Sequence, residues 1–476
     1  MLFNSITFLL FFPTVFLVDL ALQRRASWRK VFLLGSSYLF YAGWDWRFLG
    51  LIWTSTAVDW FVGNALQRED REGRRRLLLT TSLVVNLGML ATFKYLDFFI
   101  ESTRTLIETI GFEPNIEVLK LMLPVGISFY TFQTLSYTID IYRRKLEPAR
   151  TFLDFALFVA FFPQLVAGPI VRAADFIPQL YKNPRATRQD ISLGLYEIAV
   201  GLFKKVVIAD IIGNELATPF YNDPGSYGTW GALLGIYGFC FQVYGDFAGY
   251  SGIAIGCARI LGFELPTNFR WPFMSRNNIE LWSRWHISLS SWLRDYLYIP
   301  LGGSRGGRWF TYRNVLITNL LAGLWHGAGW NFVLWGGING LMISGAHARS
   351  TKRKALGIGQ PDRWWQQTRQ ILITFHCFSL SLLVFRTYSW EHFSGVVAAI
   401  FRGANPLESP PEIPGRAVAA LLLAVFLHII GERAHPPLQR AWHRVGPEVQ
   451  GAFLILLFGL FSHLATERTP FFYFQF

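Results

Sequence analysis

The sequence predicts an all-α, polytopic integral membrane protein, with about eleven transmembrane helices plus re-entrant and interfacial helices. Three observations carry that reading. Of 476 residues, 52% are apolar and 17% aromatic, and the mean hydropathy is +0.30. Only 16% are charged, and those charges gather in short bursts between long apolar runs, as loops between spans do. No stretch has the mixed surface composition of a soluble domain, so residues 1–476 read as a single membrane-embedded domain.

The formal charge is +13. The basic residues lie at the ends of apolar segments, where anionic lipid and the positive-inside rule account for them. Membrane lipid is therefore the expected partner, and nucleic acid is not. Cys240, Cys257 and Cys377 are widely spaced in apolar surroundings and read as core residues rather than a disulfide framework.

Met1 to Leu22 reads as a retained first span. No positive charge precedes its apolar run and no small-residue cleavage site follows it. Arg24, Arg25, Arg29 and Lys30 hold its carboxyl end in the cytoplasm, and a second basic burst follows at Arg68, Arg71, Arg74, Arg75 and Arg76. Between the bursts, Val31 to Leu66 is long enough for two spans that turn near Gly43 to Arg47, with Trp44 and Trp46 at the outer interface. Further apolar segments are Leu77 to Tyr95, Val118 to Tyr142, Phe152 to Val171, Ile191 to Leu216 and Trp230 to Cys257. They continue with Val315 to Ala346, Ile371 to Phe385, Ala417 to Ile430 and Ala452 to Leu464. Val118 to Tyr142 and Val315 to Ala346 are interrupted by Gly, by Pro or Asn, and by ionisable residues, which marks broken helices. Arg349, Lys352, Arg353, Lys354, Arg363 and Arg369 stand against Asp362 alone and predict a cytoplasmic loop. Asn405 to Pro414 reads as an irregular connection, and the chain carries no internal repeat.

An ionisable side chain inside an apolar span costs roughly 2.5–3.5 kcal/mol on insertion scales, which makes it a functional candidate. His326 is the clearest case. It lies within Gly323 to Asn331, where glycines permit close approach of another backbone or a substrate and Trp325 and Trp330 wall the gap. A buried neutral imidazole is able to take a proton from a hydroxyl, as a general base for acyl transfer must. A histidine bonded to a neighbouring helix for packing is the structural alternative. No metal is expected, because no His-x-x-x-His or Cys-x-x-Cys pair occurs. Gly302 to Gly306 fits Gly-x-Ser-x-Gly around Ser304, but in a glycine-rich basic turn rather than on the strand-to-helix elbow which that motif requires.

Upstream, Trp282, Trp285, Leu289, Trp292 and Tyr296 follow three-four spacing and predict one amphipathic helix over Asn278 to Pro300. Its polar face carries Arg284, Ser288, Ser291 and Asp295, and His286 falls at the edge of the stripe. Asp140, Arg143, Arg144, Arg172 and Asp246 read as members of ion pairs that hold broken helices in place.

With these residues in view, the chain resembles the membrane-bound O-acyltransferase family, specifically the bacterial branch that acetylates alginate. The resemblance runs through Leu123 to Gln133, Phe162 to Pro169, Gln242 to Ser251, Trp285 to Ser290 and Trp325 to Gly327, and on to Pro470 to Phe476. Ala248 stands where the branch carries serine. The resemblance implies many helices around a central tunnel, with His326 at the position of the family's catalytic histidine and His286 at that of its second. It implies acetyl-CoA as thioester donor, a bacterial inner-membrane location, and acetylation of an exported polysaccharide or a periplasmic acetyltransferase partner. A transporter or flippase, or a scaffold for periplasmic acetyltransferases, stays open at this point, since a polar tunnel with histidines and ion pairs serves those too. Alginate or a similar exopolysaccharide is the favoured acceptor, with cellulose, peptidoglycan and teichoic acid as alternatives.

Overall fold

The computed structural model describes residues 1–115, 117–166, 168–357, 359, 363–403 and 412–464. The connection expected at Asn405 to Pro414 lies mostly outside them, as do Ala167, Asp362 and the Pro470 to Phe476 segment. The described chain is all-helical and divides into two compact units, Met1–Gly194 with Ala254–Pro266, and Leu195–Ile253 with Thr267–Phe476.

The first unit opens with α1 (Ile6–Leu22), α2 (Ala26–Asp45) and α3 (Leu49–Arg68). The turn between α2 and α3 falls at the predicted place, and Trp44 and Trp46 are exposed there. Arg47 bonds to the Asp45 carboxylate through its guanidinium, at 2.6 Å, and through its backbone N–H, and these bonds hold that carboxyl below the usual range. A single long helix follows, α4 (Glu72–Leu90) passing through a π-helical segment into α5 (Leu96–Thr109). After the interruption at Pro124 to Gly126 come α6 (Ile127–Tyr142), α7 (Phe152–Ala160), α8 (Phe162–Leu165) and α9 (Ala173–Lys182).

Polar contacts tie these helices where no water is at hand. Asp59 on α3 accepts hydrogen bonds from Ser82 and from Asn86 of α4, the latter at 2.9 Å, and Ser55 donates to Asn86 at 2.6 Å. Two of the basic residues expected to anchor loops are internal. Arg29, 1% exposed, pairs with Asp19 at 2.7 Å and donates to the Leu261 carbonyl at 2.6 Å. Arg75 donates to the Tyr142 carbonyl at 2.8 Å. Guanidinium groups presenting several donors bind facing helix ends, so charge count alone misplaced them at the lipid surface.

The second unit holds most of α10 (Arg188–Leu202), π-helical segments at Phe203–Asp210 and Gly213–Ala217, α11 (Thr218–Asn222) and α12 (Thr229–Ile260) up to Ile253. It continues with α13 (Asn278–Arg284), α14 (Ile287–Leu293), α15 (Arg308–His326), α16 (Trp330–Ala355), α17 (Trp364–Arg386), α18 (Trp390–Phe401), α19 (Gly415–His443) and α20 (Pro447–Leu464). The predicted basic loop is largely helix. Arg349, Lys352, Arg353 and Lys354 lie in the last turns of α16, and Arg369 lies on α17. Lys and Arg are good helix formers and suit the negative end of the helix dipole, so a basic cluster does not end a helix.

Among the described residues, three helices are long and apolar enough to cross a membrane on length and composition: Glu72–Thr109, Trp364–Arg386 and Gly415–His443. Several of the other predicted spans are divided between shorter or polar-tied helices. Cys240 and Cys257 are buried as expected, whereas Cys377 is exposed.

Candidate functional site

The site is built on a helical hairpin. Helix α15 ends at His326, the chain crosses Gly327 to Gly329 in extended conformation, and α16 starts at Trp330. The predicted break in the Val315 to Ala346 segment is therefore real, and it leaves His326 at a helix end. Glycine makes the hairpin close. A Cβ on Gly323 would collide with the Phe332 carbonyl oxygen and sit 3.2 Å from the Gly336 Cα, and one on Gly336 would collide with the Asn319 carbonyl oxygen. Only bare backbone allows α15 and α16 to approach so nearly.

His326 is 2% exposed and ringed by aromatic side chains. Its ring centroid lies 5.1 Å from Trp325, 5.2 Å from Trp335 and 5.9 Å from Phe385. Trp335 is fixed in turn by an indole hydrogen bond to Ser381 Oγ at 3.2 Å, and Asn331 Nδ2 donates to the Phe385 carbonyl at 3.1 Å. These bonds tie α17 to the hairpin.

His286 is fully buried and its ring centroid stands 6.3 Å from that of His326, with Trp325 in contact with both. The structure brings the two sequence-predicted histidines together from positions forty residues apart in the chain. It corrects the predicted single helix over Asn278 to Pro300. The chain breaks between α13 and α14, where His286 takes a left-handed conformation, φ +43°. The break turns His286 inward instead of leaving it at the edge of a stripe, and Phe247 packs on its ring at 4.5 Å. Past Leu293 the helix loosens into a π-helical segment, Arg294–Tyr298.

Asn268 clamps this break. Its Oδ1 accepts from the Ser288 backbone N–H at 3.2 Å and from Ser288 Oγ at 2.9 Å, its Nδ2 donates to Ser251 at 3.1 Å, and its carbonyl accepts the Ile287 N–H at 3.0 Å. Such bonds offset the cost of a left-handed non-glycine residue. Asp246 is held as predicted, in an ion pair, through a partner the sequence reading did not single out. Lys205 reaches Asp210 at 2.7 Å and Asp246 at 2.6 Å, all three buried. A lysine in the apolar run from Ile191 to Leu216 was the available signal. Arg144 pairs with Asp70 at 3.1 Å on an exposed surface of the first unit, not inside a broken helix.

His326 opens on a cavity of about 440 Å³. Trp282, Ser290, Ser291, Asn319, Trp335 and Asn339 contribute to its wall, beside apolar residues such as Leu289, Leu293 and Ile343. Ser304, of the Gly-x-Ser-x-Gly match, is also at this cavity, in a turn where its hydroxyl bonds to Tyr298 at 2.9 Å. A second cavity, about 760 Å³, is lined by Arg276, Arg349, Arg353, Lys354, Arg369 and Cys377 among others. An imidazole at a helix end, dry behind aromatic rings and open to a cavity in front, is suited to proton transfer on a substrate that enters that cavity.

The family model described as MBOAT, membrane-bound O-acyltransferase family, matches residues 149–385, a range that contains both histidines. A protein of Azotobacter vinelandii named "probable alginate O-acetylase AlgI" is 37% identical over 91% of this chain and 85% of its own length. This chain belongs to the membrane-bound O-acyltransferase family. It is an O-acyltransferase, and with the family it is a membrane protein. Among its relatives, the protein of the same name from Pseudomonas putida is 35% identical over the whole of both chains. A peptidoglycan O-acetyltransferase of Helicobacter pylori is 35% identical over 82% of this chain and 78% of its own length.

Proposed function

We propose that this membrane-bound O-acyltransferase moves an acetyl group from a thioester donor, acetyl-CoA, towards a hydroxyl on an exported polysaccharide, alginate or a similar exopolysaccharide, or on a periplasmic carrier protein. The observation that carries the reading is the placement of His326 at a helix end, buried behind Trp325, Trp335 and Phe385 and open to the 440 Å³ cavity. His326 acts as general base. It takes the proton as the acceptor oxygen bonds to the thioester carbonyl carbon, the carbon–sulfur bond then breaks, and the thiolate leaves with a proton returned from the imidazolium. His286 orients or assists it across 6.3 Å, with Trp325 between them. The aromatic wall limits water, which would otherwise hydrolyse the thioester beside an activated hydroxyl.

The names of the relatives favour a polysaccharide acceptor, alginate in two of them and peptidoglycan in another. The chain functions as a single acyltransferase domain of about eleven spans in the bacterial inner membrane. The test is transfer from radiolabelled acetyl-CoA in membranes containing wild type or His326→Ala at matched expression, with label fractionated into polysaccharide and protein. Loss of labelling in the variant is the expected result and the labelled fraction names the acceptor. Labelling at the wild-type level removes His326 as the base.

A further inference from the structure

Two buried polar atoms at the cavity stand without a hydrogen-bond partner among the described residues, the Asn339 side-chain oxygen and the Trp282 indole N–H. Asn339 is 1% exposed, and its other end is fixed, Nδ2 donating to the Trp335 carbonyl at 2.9 Å. That bond leaves Oδ1 as the free end. Trp282 is held by ring contacts with Trp335 at 5.9 Å and Phe378 at 6.3 Å. Both residues line the cavity on which His326 opens, and Trp335 touches both His326 and Trp282. An unsatisfied buried donor or acceptor costs about 1–3 kcal/mol, so a protein that keeps one of each beside a cavity has a use for them.

One acceptor and one donor match a group that offers one donor and one acceptor. A secondary amide does so: its N–H gives to Asn339 and its carbonyl takes from Trp282. A sugar offers hydroxyls on every edge and needs many polar partners, whereas much of the wall is apolar, including Ile279, Leu289, Leu293, Ala322 and Ile343. The cavity is also elongated. Trp335, Asn339, Ile343 and His347, spaced four residues apart on α16, all line it, a stripe of about 18 Å at the helical rise. An elongated, mostly apolar arm interrupted by amides fits such a groove, and the pantetheine arm of thioester donors has that chemistry.

Building on the thioester-donor reading above, we infer that Asn339 and Trp282 are positioning residues which bind an amide of the donor's pantetheine arm and so set the thioester beside His326. The side chains turn into the groove as the arm enters. Specificity for the donor arises because an alkyl thioester leaves both atoms unpaired.

The test compares two labelled short donors in membranes carrying the full-length chain: S-acetyl-N-acetylcysteamine, which has one amide, and an S-alkyl thioacetate of equal length without it. Wild type should prefer the amide donor about tenfold or more, through KM rather than kcat. Asn339→Leu and Trp282→Phe should each bring that ratio towards one, with thermal unfolding of each purified variant near wild type. A wild-type preference that persists in both variants overturns the inference, as does a wild type with no preference. A rise in the acceptor's KM with the donor ratio unchanged also overturns it, since the two atoms would then read the acceptor. His326→Ala separates the underlying reading: full activity with either donor in that variant refutes the base while leaving the donor ratio to be measured.

Discussion

Substituting Gly323 by alanine tests whether the close approach of α15 and α16 is what places His326. Gly323 lies one turn before His326 on α15. A methyl there would overlap the Phe332 carbonyl oxygen, stand 3.0 Å from its carbon and 3.2 Å from the Gly336 Cα. All three neighbours are backbone, so none has a rotamer into which it swings away. Restoring ordinary separations of roughly 3.5 Å requires the helices to part by about 1 Å at this level. Overpacking of that kind costs about 1–3 kcal/mol of stability. A displacement of about 1 Å at a reacting group costs on the order of 100-fold in rate.

Gly323→Ala is therefore expected to lower acyl transfer about 100-fold while lowering unfolding stability by only about 1–3 kcal/mol. Gly337→Ala is the control, because its added methyl meets only the flexible Leu320 side chain at 3.4 Å. Labelled acetyl transfer in membranes gives the rate, and thermal unfolding of purified protein in detergent gives the stability. Wild-type transfer by Gly323→Ala would refute the argument that backbone contact between α15 and α16 fixes the base.

Lys205→Met strips the cation from between Asp210 and Asp246 and should cost about 3–5 kcal/mol, much of which returns when Asp210→Asn and Asp246→Asn are added; unfolding of the single and triple variants measures both. Gln133 is fully buried on α6 with neither end of its amide bonded among the described residues, so Gln133→Leu should raise stability by about 1–3 kcal/mol, and a loss instead would reveal partners beyond those residues. A water-soluble maleimide should label Cys377 beside its basic cavity and spare the buried Cys240 and Cys257 in the folded protein, read by mass spectrometry of the modified peptides.

The sequence shows most clearly where burial is expensive. His326 stands out because an imidazole in an apolar run has no cheap explanation, and the Gly-rich break beside it is visible for the same reason. His286 sits in a pattern that reads as continuous helix, since three-four spacing persists through a residue that turns the chain by adopting positive φ. The clamp that permits this comes from Asn268, which lies outside the helix and has no periodic relation to it. Arg29 and Arg75 show the converse error. A basic cluster next to a span looks like a loop by charge, yet the number of donors on a guanidinium lets it bind the ends of neighbouring helices instead.

The distribution of polar atoms also separates holding from handling. Asp59, Ser82 and Asn86 satisfy one another, and Arg29 meets Asp19 and a backbone carbonyl, so these groups fix helices at little net cost. Asn339 and Trp282 are different, because their orphaned atoms stabilise nothing in the folded chain and would be improved by apolar replacements if stability were the only demand. Their position on the wall that His326 shares gives the physical ground for assigning them to the substrate rather than to the fold. Sequence periodicity cannot make that distinction, since Trp282 fits an apolar stripe whether its N–H is used or not, and Asn339 is one more small polar residue on a helix. Only the accounting of partners around each buried atom tells the two roles apart.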